Sequence, residues 1–353
     1  MKWRDELTRR FPKLTRLDAD AYVVGGAIRD LLLGREPADV DVAVNDPLAA
    51  AKKIRERVIR LGTEEHLSAY RVVDDDRVYD FAEILEHDLD VDLTRRDFTI
   101  NAMAVDLTRD LLIDPHGGER DVNEGVVRMV RASNFDDDPL RTIRGVRAAL
   151  KYGSIDAETL EAIRVRAPRI VDVAPERVTY ELSVIFSSNT FNRALELLRQ
   201  TNLAEPLRLE WRIGNPACPL AHEPTLAGAF ALLVEEPRAY AERWRWSDSL
   251  LREVLTLQQL MQKHDRLALF DAGETIAGQL PPLLPDVTLD WPDFAIKPLL
   301  TGNDIARLTG IAPGKELGRI VRELLEAQVM GKVSTREEAE RFVTSHPLRH
   351  PER

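Results

Sequence analysis

Apolar residues alternate with polar ones, or cluster in short runs, in AYVVGG, DVDVAV, YRVVDDD, RVYDFAEI and AMAVDL, and this predicts short strands. Between them, DPLAAAKKIRERVIRLG repeats its apolar positions at the three and four spacing of a helix with one buried face. Residues 20 to about 130 therefore read as an α/β unit, preceded by a short amphipathic helix within residues 1–19. From Asp138 onward the strand signals nearly vanish. RTIRGVRAALKYG, AETLEAIRVRAPRI and ERVTYELSVIFSS all carry the helical spacing. Proline clusters at 213–224 and 281–292 predict linkers between helical units. The fold class expected is an α/β head followed by helical units.

Composition narrows the setting. The 353 residues are 44% hydrophobic and 31% charged, as in ordinary globular chains. The single cysteine, Cys218, excludes an internal disulfide and fits a reducing compartment. The segment MKWRDELTRRF is charged from its second residue and lacks the apolar stretch of a signal peptide. The longest apolar run, Leu226 to Val234, is about half a membrane span. A cytoplasmic protein with no membrane partner is expected. A net charge of −11 argues against a broadly basic nucleic-acid surface. The charge is uneven, however: Arg141 to Arg169 holds seven Lys or Arg against three acids, whereas Asp80 to Asp92 holds acids and no Lys or Arg. An acidic total can conceal a basic groove.

YVVGGAIRDLLLGREPADVDVAV, residues 22–44, concentrates the chemistry. Gly25-Gly26 would let the backbone turn tightly and approach a ligand without a Cβ in the way. The helix AIRDLLLG, ending at Gly34, would direct free N–H groups at an anion such as a triphosphate, with Arg29 one turn in. A Gly-Gly-x-x-Arg also describes a plain strand–turn–helix, and it matches neither the dinucleotide nor the Walker fingerprint. In DVDVAV the strand period puts Asp39 and Asp41 on one face, about 7 Å apart, a costly arrangement unless cations neutralise it. Paired carboxylates suit Mg²⁺, which brings nucleotide phosphates with it. Two such ions can activate a hydroxyl and stabilise the leaving oxygen of a phosphoryl displacement. The alternative is an exposed edge strand charged against self-pairing. The preceding Gly-Gly favours the metal reading.

This combination resembles the nucleotidyltransferase superfamily of DNA polymerase β. More narrowly, GGAIRDLLLGREPADVDVAV is similar to the first motif of class II tRNA nucleotidyltransferases and the related bacterial poly(A) polymerases. RRDFTINAMAVD (95–106) resembles their second motif, whose second arginine, here Arg96, contacts the nucleotide. DPHGGERDV resembles the turn after it, DDPLRTIRGVR the base-reading motif, and ERVTYELSVIF the helix supporting that motif. LLTGNDIARLTGIAPGKELGRIVRELLEAQVMGKVSTREEA resembles the tail domain that holds the tRNA elbow. The resemblance implies a polymerase-β-like head (1–137), a base-reading neck (138–200), a helical body (201–295) and a tRNA-binding tail (296–353). It implies template-independent addition of C and/or A to the tRNA 3′ end from CTP and ATP, with Mg²⁺ on the catalytic residues Asp39 and Asp41. Nucleotide contacts are implied for Gly25, Gly26, Arg29, Arg96, Asp138, Arg141, Arg144 and Arg147. Poly(A) addition is the near alternative. A tRNA-binding module without catalysis would not keep both aspartates, and a small-molecule nucleotidyltransferase would not need the tail.

Base selection has its own chemistry. Asp138, Arg141, Arg144 and Arg147 recur every three residues and drift slowly across one helix face. Cytosine and adenine each offer an amino donor beside a ring-nitrogen acceptor, which an aspartate beside an arginine matches; uracil and guanine offer the reverse. A solvated basic face with Asp137 or Asp138 as helix cap is the plainer alternative.

Several positions depart from the family pattern. Asp137 stands where Glu is common, and Ala148 where Phe is usual. The third metal-site carboxylate is either Asp80 or Glu83. Only about ten residues, Leu85 to Thr94, separate the last strand from the second motif. Many CCA-adding relatives carry a longer flexible loop there; a short one suits an enzyme that adds only CC or only A, with CC the expected form, and it also suits branches that manage with little loop. His264-Asp265 lacks partner histidines and reads as incidental. In the tail, GIAPGKELGRIVREL lines up Lys315, Arg319 and Arg322 after Pro313-Gly314, as phosphate contacts or as solubilising charges.

Overall fold

Val23, Val40, Val42 and Ala43 are buried at the centre of a seven-stranded mixed sheet that organises the first of two compact units, residues 1–209 and 210–353. The computed structural model describes residues 2–17, 20–61, 69–210, 220 and 222–345. The first unit opens with helix α1 (Trp3–Arg10) and a 3-10 turn at Pro12–Arg16. Strand β1 (Tyr22–Val24), helix α2 (Gly26–Leu32), strand β2 (Asp39–Val44) and helix α3 (Pro47–Ile54) follow. Next come β3 (Ile59–Leu61), β4 (Ala69–Asp74), β5 (Arg77–Glu83), α4 (Leu89–Thr94), β6 (Ala104–Asp106) and β7 (Leu111–Ile113). The sheet order is β3-β4-β5-β2-β1-β6-β7, with β2 and β5 parallel and the other neighbours antiparallel.

One element differs from the sequence reading, and one alternative falls away. The helix expected across residues 46–62 stops at Ile54, because Arg55 is extended and Ile59–Leu61 pairs with β4 instead. Asp46 caps its start by accepting the Ala49 N–H at 2.9 Å. β2 lies between β5 and β1, so the aspartate-bearing strand is interior and the edge-strand alternative fails. The buried valine face explains this position: it needs neighbours on both sides. Gly34, at φ +66, takes up the end of α2 as expected.

The chain continues through α5 (Gly118–Glu124), β8 (Val126–Val127), α6 (Asn134–Asp137) and α7 (Leu140–Tyr152). β9 (Ser154–Ile155), which pairs in parallel with β8, leads to α8 (Ala157–Arg166), α9 (Pro175–Phe186) and α10 (Phe191–Gln200). This two-residue ribbon is too short to leave a periodic signal. Phe98 and Phe135 meet with ring centroids 6.0 Å apart under α7. A Cβ on Gly145 would lie 2.9 Å from Ile163 Cδ1 and 3.2 Å from Phe98 Cζ.

Among its described residues the second unit is helical: α11 (Leu226–Leu233), α12 (Pro237–Trp244), α13 (Asp248–Gln262), α14 (Arg266–Ala272), α15 (Glu274–Ala277), α16 (Gly302–Thr309), α17 (Lys315–Val329) and α18 (Arg336–Thr344). The apolar run from Leu226 is the buried helix α11, whose Phe230 ring lies 4.4 Å from that of Trp246. Among described residues no helix is long and apolar enough to cross a membrane. α16 to α18 enclose their own apolar cluster of Leu300, Ile305, Ile320, Leu324 and Val343. The proline segment 281–292 carries no helix or strand, as expected of a linker, whereas most of 213–224, with Cys218, lies outside the described residues.

Gly145→Val should crowd Phe98 and Ile163 and destabilise the first unit by about 1–3 kcal/mol, read as a lowered urea midpoint. An unchanged midpoint would show that α7 has room there.

Candidate active site

The first site follows from one missing Cβ. Gly25 takes φ +74 between β1 and α2, a conformation open to glycine, and its N–H donates to Met103 O at 3.1 Å. A Cβ there would lie 3.1 Å from Arg96 Nη1 and 3.5 Å from Asp41 Oδ2. The turn therefore brings a guanidinium and a carboxylate together across the backbone. Asp39 and Asp41 share a face of β2, Asp39 exposed and Asp41 half-buried, and among the described residues neither has an ion-pair partner within 4.0 Å. Burial pushes the Asp41 carboxyl up to about 6, with Asp39 and Asp80 adding to the shift and Arg96 and Arg71 opposing it. Uncompensated hard oxygens of this kind fit a divalent cation.

Register decides between the two candidates for a third carboxylate. Asp80 of β5 is the direct partner of Asp41, whereas Glu83 is the partner of Val44 and follows the opposite face. Asp80 is already engaged: Arg71 Nε and Nη2 donate to its two oxygens at 2.7 and 2.6 Å. No group of three or more His, Cys, Asp or Glu able to hold a metal is assembled among the described residues. Two carboxylates suffice for an ion that also takes phosphate oxygens.

Arg96 is oriented by Asp92, at 3.0 Å from Nη2, and by Asn101 O, at 3.4 Å from Nη1. Asp92 stands on α4, whose start Asp88 caps through the N–H groups of Asp90 and Val91. The segment Leu85–Thr94, expected as a short loop, is thus a 3-10 turn followed by a helix that anchors Arg96.

The second cluster surrounds α7. Asp97 is buried, which alone would raise its pKa, yet the Arg144 charge and hydrogen bonds from Asn101 and the Phe98 N–H hold it below the usual carboxylate range. Arg144 Nη2 approaches it at 2.7 Å. Arg147 pairs at 3.0 Å with Glu181 of α9, whose carboxyl burial pushes upward. Arg29 donates to Asn101 Oδ1 and lies 4.1 Å above the Tyr152 ring. Arg29, Asn101, Arg144, Arg147, Ala148 and Tyr152 line a cavity of about 420 Å³. The expected Gly26 begins α2 beside Arg29, whose Nη2 would lie 3.3 Å from a Cβ there.

Asp138 does not stand free. Its Oδ1 accepts the Leu140 N–H at 3.2 Å, so it serves as a cap, and its Oδ2 lies 2.8 Å from Arg177 Nη2. Arg141 donates to Asn134 O at 3.1 Å. Buried Asn134 donates to the Thr94 and Arg96 carbonyls, so it joins the two clusters. Sequence reasoning singled out none of Arg71, Asn134, Arg177 or Glu181. The i,i+4 pair Arg177 and Glu181 was visible in ERVTYEL, facing the arginines of α7.

In the tail, Arg319 pairs with Glu323 at 2.6 Å, and Arg322 pairs with Glu326 at 2.7 Å and with Asp271. Of the three expected phosphate contacts, only Lys315 has no carboxylate partner among the described residues. His264 meets the Leu260 carbonyl and Asp265 caps α14 through the Ala268 N–H at 2.9 Å, so that pair is structural.

Comparison with known proteins agrees with this architecture. Residues 21–128 match the poly A polymerase head domain, and residues 154–211 match a probable RNA and SrmB-binding site of polymerase A. The chain is similar to the CC-adding tRNA nucleotidyltransferase of Synechocystis, 28% identical over 92% of this chain and 93% of that one. It is also similar to the CCA-adding enzyme of Geobacillus thermodenitrificans, 31% identical over 68% of this chain and 66% of the other. The fold superposes on a crystal structure of the Bacillus stearothermophilus CCA-adding enzyme in complex with CTP, with a TM-score of 0.71 and 24% identity over 97% of both chains.

The raised Asp41 pKa has a sign that can be measured. A carboxyl whose pKa is higher in the folded state stabilises the fold below its unfolded value, 3.8, and that contribution is lost as pH rises through about 6. Asp41→Asn should therefore stabilise the metal-free protein at pH 8 by about 2–3 kcal/mol and flatten its stability profile between pH 4 and 6. Urea denaturation in chelator reads both, and an unchanged profile would mean Asp41 is well solvated.

Proposed function

The chain belongs to the class II tRNA nucleotidyltransferase family, which includes the related bacterial poly(A) polymerases, and on that premise we propose that it extends the 3′ end of tRNA with C and A, or with C alone. CTP and ATP are the donors. The tRNA 3′-oxygen forms a bond to the α-phosphorus, the α–β phosphoanhydride bond breaks, and pyrophosphate leaves. The observation carrying this reading is the convergence of Asp41 and Arg96 on the Cβ-free turn at Gly25, with Asp39 on the same strand face as Asp41.

Asp39 and Asp41 would hold Mg²⁺. When bound, the ion supplies activation of the attacking hydroxyl and neutralisation of the leaving oxygens. Gly25 and Gly26 let the phosphates approach the backbone, and Arg96 supplies a fixed positive charge beside them. Arg29, Arg144 and Arg147 line the adjoining cavity, in reach of triphosphate or ribose. Asp138 and Arg141 read the amino and ring-nitrogen edge of cytosine or adenine, with Arg177 orienting the Asp138 carboxylate. The tail, through Lys315 at the start of α17, contributes to RNA binding. The chain acts in the cytoplasm.

Restriction to CC is favoured by the segment Leu85–Thr94. It is short, helical and tied to Arg96 through Asp92, so it has little freedom to reset the base-reading side chains between nucleotides.

Incubating tRNA lacking its 3′ CCA with CTP, ATP or both, and reading product length, tests the reading. Two added cytidines, with no growth of a CC-ended tRNA on ATP, is the expected result. Rapid conversion of that tRNA to CCA would remove the CC restriction, and no growth on any substrate would remove the reading.

Asp138→Ala should relax discrimination against UTP and GTP by about 1–3 kcal/mol in kcat/KM. An equal loss with all four nucleotides would reduce Asp138 to the cap of α7.

A further inference from the structure

Arg71 has no place in the chemistry above, yet it faces the carboxylates. It lies on β4 directly opposite Asp80, and Asp80 lies directly opposite Asp41, so the three side chains follow one another across a single face of the sheet. Its guanidinium occupies both Asp80 oxygens in a bidentate fork. Asp80 is mostly covered, with 16% of its side chain accessible, while Arg71 retains 41%. The fork is thus held at the Asp80 end and open to solvent beside Asp39 and Asp41.

We propose that Arg71 makes cation capture by Asp39 and Asp41 depend on the arrival of nucleotide phosphates. The inference rests on the functional reading above. Two effects combine. The fork removes Asp80 from the set of free oxygen donors, leaving two carboxylates where three share one face of the sheet. Its charge also opposes a cation at short range in a half-buried setting, where screening is incomplete. A divalent ion arriving alone meets too few donors and a neighbouring positive charge. An ion arriving with a triphosphate brings its own anionic oxygens, and Arg71 then faces an anion. The gate is a fixed ion pair and needs no moving loop, consistent with the folded segment Leu85–Thr94. Arg71 acts through Asp80 and the local field, and is a positioning residue.

The test uses Mn²⁺ as the probe, with free ion followed by electron paramagnetic resonance, with and without CTP. The wild type is expected to bind Mn²⁺ weakly alone and more tightly with CTP. Arg71→Met should tighten nucleotide-free binding by roughly tenfold and shrink the CTP effect. Arg71→Lys keeps the charge but cannot fork both oxygens, and should fall between. Asp80→Asn removes a carboxylate and leaves Arg71 unneutralised, so it should bind Mn²⁺ alone less tightly than the wild type. Adding Asp39→Ala to Arg71→Met should abolish the gain. Arg71→Met or Arg71→Lys binding no tighter than wild type without CTP, or Asp80→Asn binding tighter, would overturn the proposal. A wild type that elongates tRNA but shows no Arg71 effect overturns this inference alone; one that fails to elongate overturns the functional reading, and the Mn²⁺ series still judges Arg71.

Discussion

A buried ion pair holds the first unit to its task. Asp97, 5% exposed, takes charge from Arg144 and hydrogen bonds from Asn101 and its own neighbour's N–H, so a carboxylate from the sheet side fixes a helix from the α7 side. Breaking such a pair by removing one partner leaves an uncompensated buried charge and typically costs about 3–5 kcal/mol. The neighbouring contacts depend on that junction. Asn101 also receives Arg29, and Asn134 binds the Arg96 carbonyl while its own carbonyl receives Arg141. The Gly25 turn and the start of α7 are therefore set by one connected polar network, and rotation of α7 would disturb both.

The same network explains why an acidic chain can serve an anionic substrate. Arg144, Arg147 and Arg96 each have a carboxylate partner, so they are not free charges scattered on a surface. Their partners fix the direction of each guanidinium and leave other N–H groups for a ligand. A net charge of −11 describes the whole surface and says little about so local an arrangement. The tail makes the contrast: Arg319 and Arg322 are neutralised along their own helix, which weakens the case for them as phosphate contacts.

Much of this was legible in the sequence, for identifiable reasons. Strand alternation located β2 and put Asp39 and Asp41 on one face, and Gly25 announced a backbone that other residues resist. The helical spacing located α7, α8 and α9, whereas α11 showed only as an apolar run. What stayed hidden was pairing between distant residues. Nothing in periodicity says that β2 is interior, that Arg71 faces Asp80, or that Asn134 bridges two motifs, because these follow from sheet order and packing. The two-residue strands β8 and β9 are shorter than any period that could reveal them, and β3 was absorbed into a helical pattern by its neighbours. Asp138 shows a further limit: capping and base reading call for the same residue type at the same place.

β1 has only three residues, yet it lies inside the sheet with antiparallel partners on both sides and ends at the Gly25 turn. Its backbone is paired on both sides, and the Gly25 amide, bonded to Met103, is tied to the same ladder. Local opening that exposes the turn must therefore break pairing at the middle of the sheet, at a free energy approaching that of unfolding the whole unit. The turn is thus tied to the inner ladder of the sheet, and slow hydrogen exchange at Val23 to Gly25 is the form in which that rigidity becomes visible.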